Sequence, residues 1–99
     1  MIDTTSQTGV YRITNTVNGK IYIGSTGTSF KQRWRRGYNP YLTLAIKKHG
    51  LQNFTFEALL VCEPADCLKY EQIYLDNYKP WVSTGAGYNF CQVAGSRRG

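Results

Sequence analysis

Three kinds of side chain in this 99-residue chain could do chemistry: one carboxylate out of place, one arginine in a cationic cluster, and an excess of tyrosines. Glu71 falls three residues after Leu68 and four before Leu75, which puts it on or beside the apolar stripe of a helix. A carboxylate there costs free energy unless it is paired, hydrogen-bonded or bound to a metal. Helix periodicity alone favours a boundary glutamate paired with Lys or Arg. Arg33 is one of four cations among Lys31, Arg33, Arg35 and Arg36. It reads either as an ordinary phosphate-contacting or solvated charge, or as a planar donor suited to a phosphodiester in its pentacovalent transition state. Most of the eight tyrosines should pack with a polar tip outward, but one in a cationic pocket would lose its proton more easily and could act as base or nucleophile.

Other chemistries are poorly served. Cys62, Cys67 and Cys91 form no C-x-x-C, and with a single histidine they assemble no familiar zinc site, so they read as reduced, mostly buried thiols. No run approaches the roughly 18 apolar residues of a membrane span, and Met1 to Gly9 is too polar for a secretory signal. The expectation is a soluble intracellular protein, cytoplasmic or associated with the nucleoid or nucleus, without a membrane partner.

The elements that must position these groups follow from the pattern. Gly9 to Thr14 and Lys20 to Ile23 are β-branched and aromatic and predict two strands, joined by the turn Asn15-Thr16-Val17-Asn18-Gly19, whose Asn18-Gly19 supplies positive φ. A loop with an even residue count puts Tyr11 and Tyr22 on one face, and an odd count separates them. Gly24 to Gly27 reads as a polar loop. A short helix from about Thr28 or Ser29 would bury Phe30 and Trp34, with Arg33 and Arg36 flanking that side. Asn39-Pro40 starts a second helix, with Leu42, Ala45, Ile46 and His49 on its buried stripe and Gly50 as a left-handed C-cap. Phe54 to Cys62 is a third strand, Glu63-Pro64 breaks it, and Ala65 to Tyr78 is a third helix. Tyr88-Asn89-Phe90 is a short element in a Gly- and Ser-rich tail. The expected fold is α+β: a small three-stranded antiparallel sheet flanked by helices in the order β-β-α-α-β-α. The ordered domain spans residues 9–92, between a flexible N-terminus (1–8) and a flexible tail or linker start (93–99).

Charge is divided unevenly along that order. From Thr4 to Phe56 there are eight cations and no acid, whereas from Glu57 onward five acids meet four bases. The first half is therefore a basic lobe, suited to salt-dependent binding of DNA or RNA, with Lys31, Arg35, Arg36, Lys47 and Lys48 as candidate contacts. A merely solvated surface explains the excess of Lys and Arg but not the absence of every acid. Membrane-surface binding fits less well, because the cations lie on several short elements.

The strand pair also carries a signature. Gly9-Val10-Tyr11 is followed, eleven residues from tyrosine to tyrosine, by Tyr22-Ile23-Gly24-Ser25. This resembles the GIY-YIG nuclease domain, with Val10 replacing the middle isoleucine and Gly9 and Gly24 as motif glycines. The resemblance continues through Arg33, Asn39-Pro40-Tyr41-Leu42, Ala45 to Gly50, Asn53-Phe54, the helix of Glu71, and Gly87-Tyr88-Asn89. It covers about residues 9 to 90, and its details look most like the homing-endonuclease branch.

The resemblance implies a DNA endonuclease that hydrolyses a phosphodiester at a single Mg²⁺ or Mn²⁺. Carried over residue by residue, it makes Tyr11 the base or water activator and Tyr22 its partner. Arg33 would stabilise the transition state, Glu71 would hold the metal, and Asn89 would order the site or the phosphate. Nearby cations would lower a tyrosine's pKa toward use as a base. One position departs from the family, which commonly has His or Tyr four residues after the arginine. Here Gly37 stands there, with Tyr38 adjacent as a substitute helper and Tyr41 a poorer one. His49 reads as a packing residue. The departure motivates a second reading, a catalytically weak or inactive nucleic-acid-binding module of the same fold. A structural or protein-interaction role would predict no salt-dependent DNA affinity. Target choice would come from a separate or missing recognition domain or from DNA structure, and cutting both strands from a monomer or a transient dimer.

Overall fold

A computed structural model describes residues 7–35, 39–90 and Ala94, with Arg35 described by its backbone. Strands β1 (Gly9–Asn15), β2 (Ile21–Thr26) and β3 (Phe54–Val61) form one antiparallel sheet in the order β2-β1-β3. Helices α1 (Phe30–Arg35) and α2 (Pro40–His49) intervene between β2 and β3, and α3 (Cys67–Tyr78) follows β3. The architecture is the expected α+β arrangement.

Alternation along the strands divides the core into two layers. Tyr11, Ile13 and Tyr22 pack on one face with Phe30 of α1, Leu42 of α2, Phe54 and Tyr88. Val10 and Ile23 face the other way, onto Leu75 of α3. The sheet is thus sandwiched between α1 and α2 on one side and α3 on the other.

The β1–β2 turn fixes which residues share a face. Asn15 N–H donates to Lys20 O at 2.9 Å, leaving four residues in the loop. Gly19 sits at φ 77° in that loop, and the Asn15 side chain caps it by accepting from Val17 N–H at 2.9 Å. With this even count Tyr11 lies opposite Gly24 and Ile13 opposite Tyr22, so both tyrosines project to the same face.

Both helices expected before β3 form. Ser29 Oγ accepts from Gln32 N–H at 3.1 Å at the start of α1. At α2, Asn39 Oδ1 accepts from Leu42 N–H at 2.9 Å and Pro40 is the first helical residue. The Asn39 side-chain amide also donates to Tyr88 O at 2.7 Å, tying α2 to the segment around Tyr88.

Several expectations change. Gly24 to Thr26 is strand rather than loop, because these residues pair with Gly9 to Tyr11. Gly50 has positive φ but extended ψ (89°, 139°), since the chain turns directly into a 3-10 turn at Leu51–Asn53 instead of closing a left-handed cap. Of the α2 stripe only Leu42 is buried, with Ala45, Ile46 and His49 half-buried. The third helix begins at Cys67 after a 3-10 turn at Pro64–Asp66. On that helix Leu68 is 53% exposed, and the inward line is Cys67, Glu71 and Leu75. Glu71 is therefore at the centre of the buried line rather than at its margin. Cys67 is buried and Cys62 half-buried, both as free thiols, while Cys91 lies outside the described residues. Among the described residues no helix is long and apolar enough to cross a membrane.

Candidate active site

Gly24 is the first requirement of the site. A Cβ at this position would lie 2.4 Å from the Tyr11 hydroxyl oxygen, so the bare backbone of β2 is what lets the Tyr11 side chain cross to its neighbours. Gly9 serves the other flank of β1. A Cβ there would lie 1.9 Å from Leu60 O, where β1 meets β3 beside a register shift at Val10 and Tyr11. The expected result for Gly24→Ala is displacement of the Tyr11 ring from a fully buried site, an overpacking cost of about 1–3 kcal/mol visible as a lower Tm. An unchanged Tm and near-normal activity would show that Tyr11 does not depend on this gap.

The Tyr11 ring is held by aromatics. Phe30 and Trp34 of α1 stack on each other at 5.5 Å, and each meets the Tyr11 ring edge-on, at 6.2 and 6.0 Å. Tyr22 lies 6.3 Å from it on the strand alongside. These contacts seat α1 on the sheet through positions i and i+4, which leaves Arg33 on the flank of the helix beside Tyr22. The Tyr22 hydroxyl interacts with the Arg33 guanidinium and the Tyr11 hydroxyl, and it feels the charge of Glu71.

Tyr22 departs from the expectation of a lowered tyrosine pKa. Burial pushes its hydroxyl above the ordinary value of 10, and Glu71 adds to the rise, against the opposing pull of Arg33 and the hydrogen bonds from Arg33 and Tyr11. Desolvation outweighs the cation because Tyr22 is only 5% exposed. In this state it keeps its proton at neutral pH.

Glu71 reaches the same place from the other side of the sheet. Along β2, residues 22 and 24 face α1 while 23 and 25 face α3, so Ser25 points at α3 and its Oγ donates to Glu71 Oε1. Burial raises the Glu71 pKa above its ordinary value, with the Ser25 hydrogen bond and the Arg33 charge pulling it down. The partner the helix pattern suggested, a basic residue in a boundary pair, is thus replaced by a serine hydroxyl and a more distant arginine. Ser25 stood in the motif with no role attached. Its signal was parity, hidden by reading Gly24 to Gly27 as loop.

Asn89 is 1% exposed and acts on the backbone of β2. Its Oδ1 accepts from Ile23 N–H and its Nδ2 donates to Ile23 O, both at 2.8 Å. Tyr88 N–H donates to Ile21 O at 2.9 Å, so residues 87–89 run parallel to β2 and cover the edge strand next to Tyr22.

The basic lobe is more dispersed than its sequence suggests. Arg12 is bound to Glu57 at 2.6 Å and lies over the Tyr78 ring at 5.6 Å, on the α3 side. Lys31, Lys47 and Lys48 are exposed and free to meet solvent or a polyanion. The side chain of Arg35, and Arg36, Gly37 and Tyr38 altogether, lie outside the described residues.

The order of these groups along the chain, with the Tyr11 and Tyr22 pair on one face of the first hairpin, is what decides the family: the GIY-YIG catalytic domain matches residues 7–89. The chain belongs to the GIY-YIG family. It is an endonuclease domain of that family and similar to homing-endonuclease catalytic domains. Two solved structures share its fold. The catalytic domain of homing endonuclease I-TevI superposes with a TM-score of 0.68 at 26% identity, covering 86% of this chain and 99% of that one. A glutamate-to-alanine mutant of the I-TevI catalytic domain gives 0.73 at 24% identity, covering 88% and 96%. Among curated proteins, segD of Enterobacteria phage T4, which carries the name of an endonuclease, is 42% identical over 50 residues. That match takes in 50% of this chain, and only 22% of segD's length.

For a GIY-YIG domain the donor set bears on metal binding. Among the described residues no three His, Cys, Asp or Glu side chains converge. What converges is one buried carboxylate, held on one oxygen by a serine, beside an arginine and a tyrosine. Mg²⁺ keeps several waters and commonly takes one or two carboxylates plus phosphate oxygens, so this set fits a single oxygen-preferring divalent ion.

Proposed function

We propose that this domain is a DNA endonuclease dependent on one Mg²⁺ or Mn²⁺ ion, hydrolysing a phosphodiester at the β2 edge. The observation that carries the reading is the Tyr22 hydroxyl hydrogen-bonded by Arg33 with the charge of Glu71 acting on it, from three elements and both sides of the sheet. Glu71 would hold the ion, which when bound supplies Lewis-acid polarisation of a phosphoryl oxygen and a more acidic water.

The protein's own groups then divide the work. Arg33, on the flank of α1, donates to the non-bridging phosphate oxygens as negative charge accumulates. Tyr22 in its protonated form donates to the phosphate or orients water. Tyr11, fully buried behind it, is the base or activator and exchanges a proton with the reaction centre through the Tyr22 hydroxyl. Asn89 and Ser25 hold β2 and the carboxylate in register. Lys31, Lys47 and Lys48, with the cations that follow Trp34, track the DNA backbone and make affinity fall steeply with salt. Because the match covers 22% of segD's length, target choice is assigned to a separate recognition domain rather than to this module.

The test is supercoiled plasmid incubated with the purified domain across Mg²⁺ and Mn²⁺, against EDTA. Metal-dependent nicking is expected. Salt-dependent DNA binding without cleavage at any metal concentration would select the binding-only reading instead.

A further inference from the structure

One pair of side chains plays no part in the reaction described above. Cys62, at the end of β3, and Cys67, at the start of α3, have their sulfurs 3.7 Å apart. Cys67 Sγ also donates to Thr26 O at 3.3 Å, and Thr26 follows the serine that holds Glu71. On α3 Cys67 lies one turn before Glu71 on the same inward line. The thiol pair is therefore joined to the seat of the carboxylate by two routes, along the helix and across to β2.

We propose that Cys62 and Cys67 are a reversible modification site, a dithiol oxidised by small-molecule disulfides, and that closing the disulfide disturbs the seat of Glu71. The half-buried Cys62 meets the oxidant first. Its thiolate attacks one sulfur of R–S–S–R, giving a Cys62–S–S–R mixed disulfide and releasing one thiol. Cys67 then attacks the Cys62 sulfur and releases the second. Two protein thiols are oxidised and the reagent is reduced to two R–SH, with the protons passing to the released thiolates. Burial, followed by the contact with Cys62, holds the Cys67 thiol up at about 11, which disfavours it as the first attacker. In the second step its nearness to the Cys62 sulfur offsets the small thiolate fraction.

The geometry requires the sulfurs to approach by roughly 1.7 Å to reach the disulfide distance of about 2.05 Å. That movement shifts Cys67 Sγ, which lies 3.3 Å from Thr26 O and 3.5 Å from Glu63 O, and bond formation removes the S–H donor altogether. Both effects fall on the first turn of α3, whose displacement moves Glu71. A misplacement of about 1 Å at a reacting centre is worth on the order of a hundredfold in rate.

The experiment uses a Cys91→Ser chain, so that only this pair can react, treated with glutathione disulfide. The expected product has an intact mass lower by two hydrogens, a peptide map joining Cys62 to Cys67, and faster amide exchange in the first turn of α3, all reversed by dithiothreitol. Nicking should fall on the order of a hundredfold, and Cys62→Ser in the same background should nick normally and resist the reagent. A stable glutathione adduct alone, unreacted thiols, or a closed disulfide with unchanged exchange would each overturn the proposal. The inference about activity rests on the nuclease reading, but the mass and exchange readouts do not. A reduced protein that never nicks counts against the nuclease and leaves this test intact.

Discussion

Glu71→Gln is expected to abolish cleavage and at the same time make the free domain more stable at neutral pH. The loss of activity follows from removing the one buried carboxylate of the site. A Lewis acid contributes several kcal/mol at the transition state, and each ~1.4 kcal/mol is tenfold, so the rate should fall roughly a thousandfold or more. The gain in stability follows from burial. Glu71 holds its proton more tightly in the folded protein than in the unfolded chain, where its pKa is close to 4.5. The folded state therefore binds more protons in the window from that value up to the raised one, and stability declines as pH rises through it. Burial makes the charged form of this carboxylate a cost to the folded state, which glutamine lacks, while its Oε1 can still accept from Ser25.

Thermal unfolding from acid to neutral pH checks this directly. The variant should melt higher than the natural sequence at neutral pH, and the two curves should converge below the ordinary carboxylate range. Divalent ion should raise the Tm of the natural sequence and leave the variant unmoved, because binding to the native state alone stabilises it. Retained metal-dependent nicking in Glu71→Gln would remove the metal-ligand role. A variant that melts lower at neutral pH would show that the carboxylate is a net stabilising group, with Ser25 and Arg33 outweighing its desolvation.

Tyr11→Phe carries the second large effect. The substitution deletes one hydroxyl from a ring enclosed by Phe30, Trp34 and Tyr22 and leaves the enclosure intact. Cleavage should fall by roughly 10²- to 10⁴-fold, the range of general acid–base catalysis, with little change in DNA affinity. Since the Tyr11 hydrogen bond is among the influences that lower the Tyr22 pKa, its removal should also shift the alkaline limb of the pH–rate profile upward. A near-normal rate would place the base elsewhere, with the residues after Arg35 the next to substitute.

Much of this architecture was legible in the residues. The two strands, the Asn-Gly turn, the Asn39-Pro40 helix start and the Glu63-Pro64 break are local events, each set by φ preference, capping or the missing proline N–H. The parity rule needed the loop count, which a turn from Asn15 to Gly19 makes odd. Asn15 instead belongs to β1 and pairs with Lys20, so the loop has four residues and Tyr11 and Tyr22 share a face. What failed were judgements that depended on partners distant in sequence. Gly24 to Thr26 has loop composition yet forms strand because Gly9 to Tyr11 lies beside it. Leu68 has the hydrophobicity of a core residue yet is exposed, because α3 meets the sheet along Cys67, Glu71 and Leu75.

The site divides in the same way. The sequence by itself determined the candidate groups and their order; that position 24 must be glycine follows from the Tyr11 hydroxyl lying over it in the folded sheet. Only the tertiary structure decided that Glu71 is held by Ser25, that Asn89 works on the backbone of Ile23, and that burial outweighs Arg33 at the Tyr22 hydroxyl. The reason is physical: periodicity sets which way a side chain points along its own element, whereas pKa and hydrogen bonding depend on which other elements close over it and exclude water.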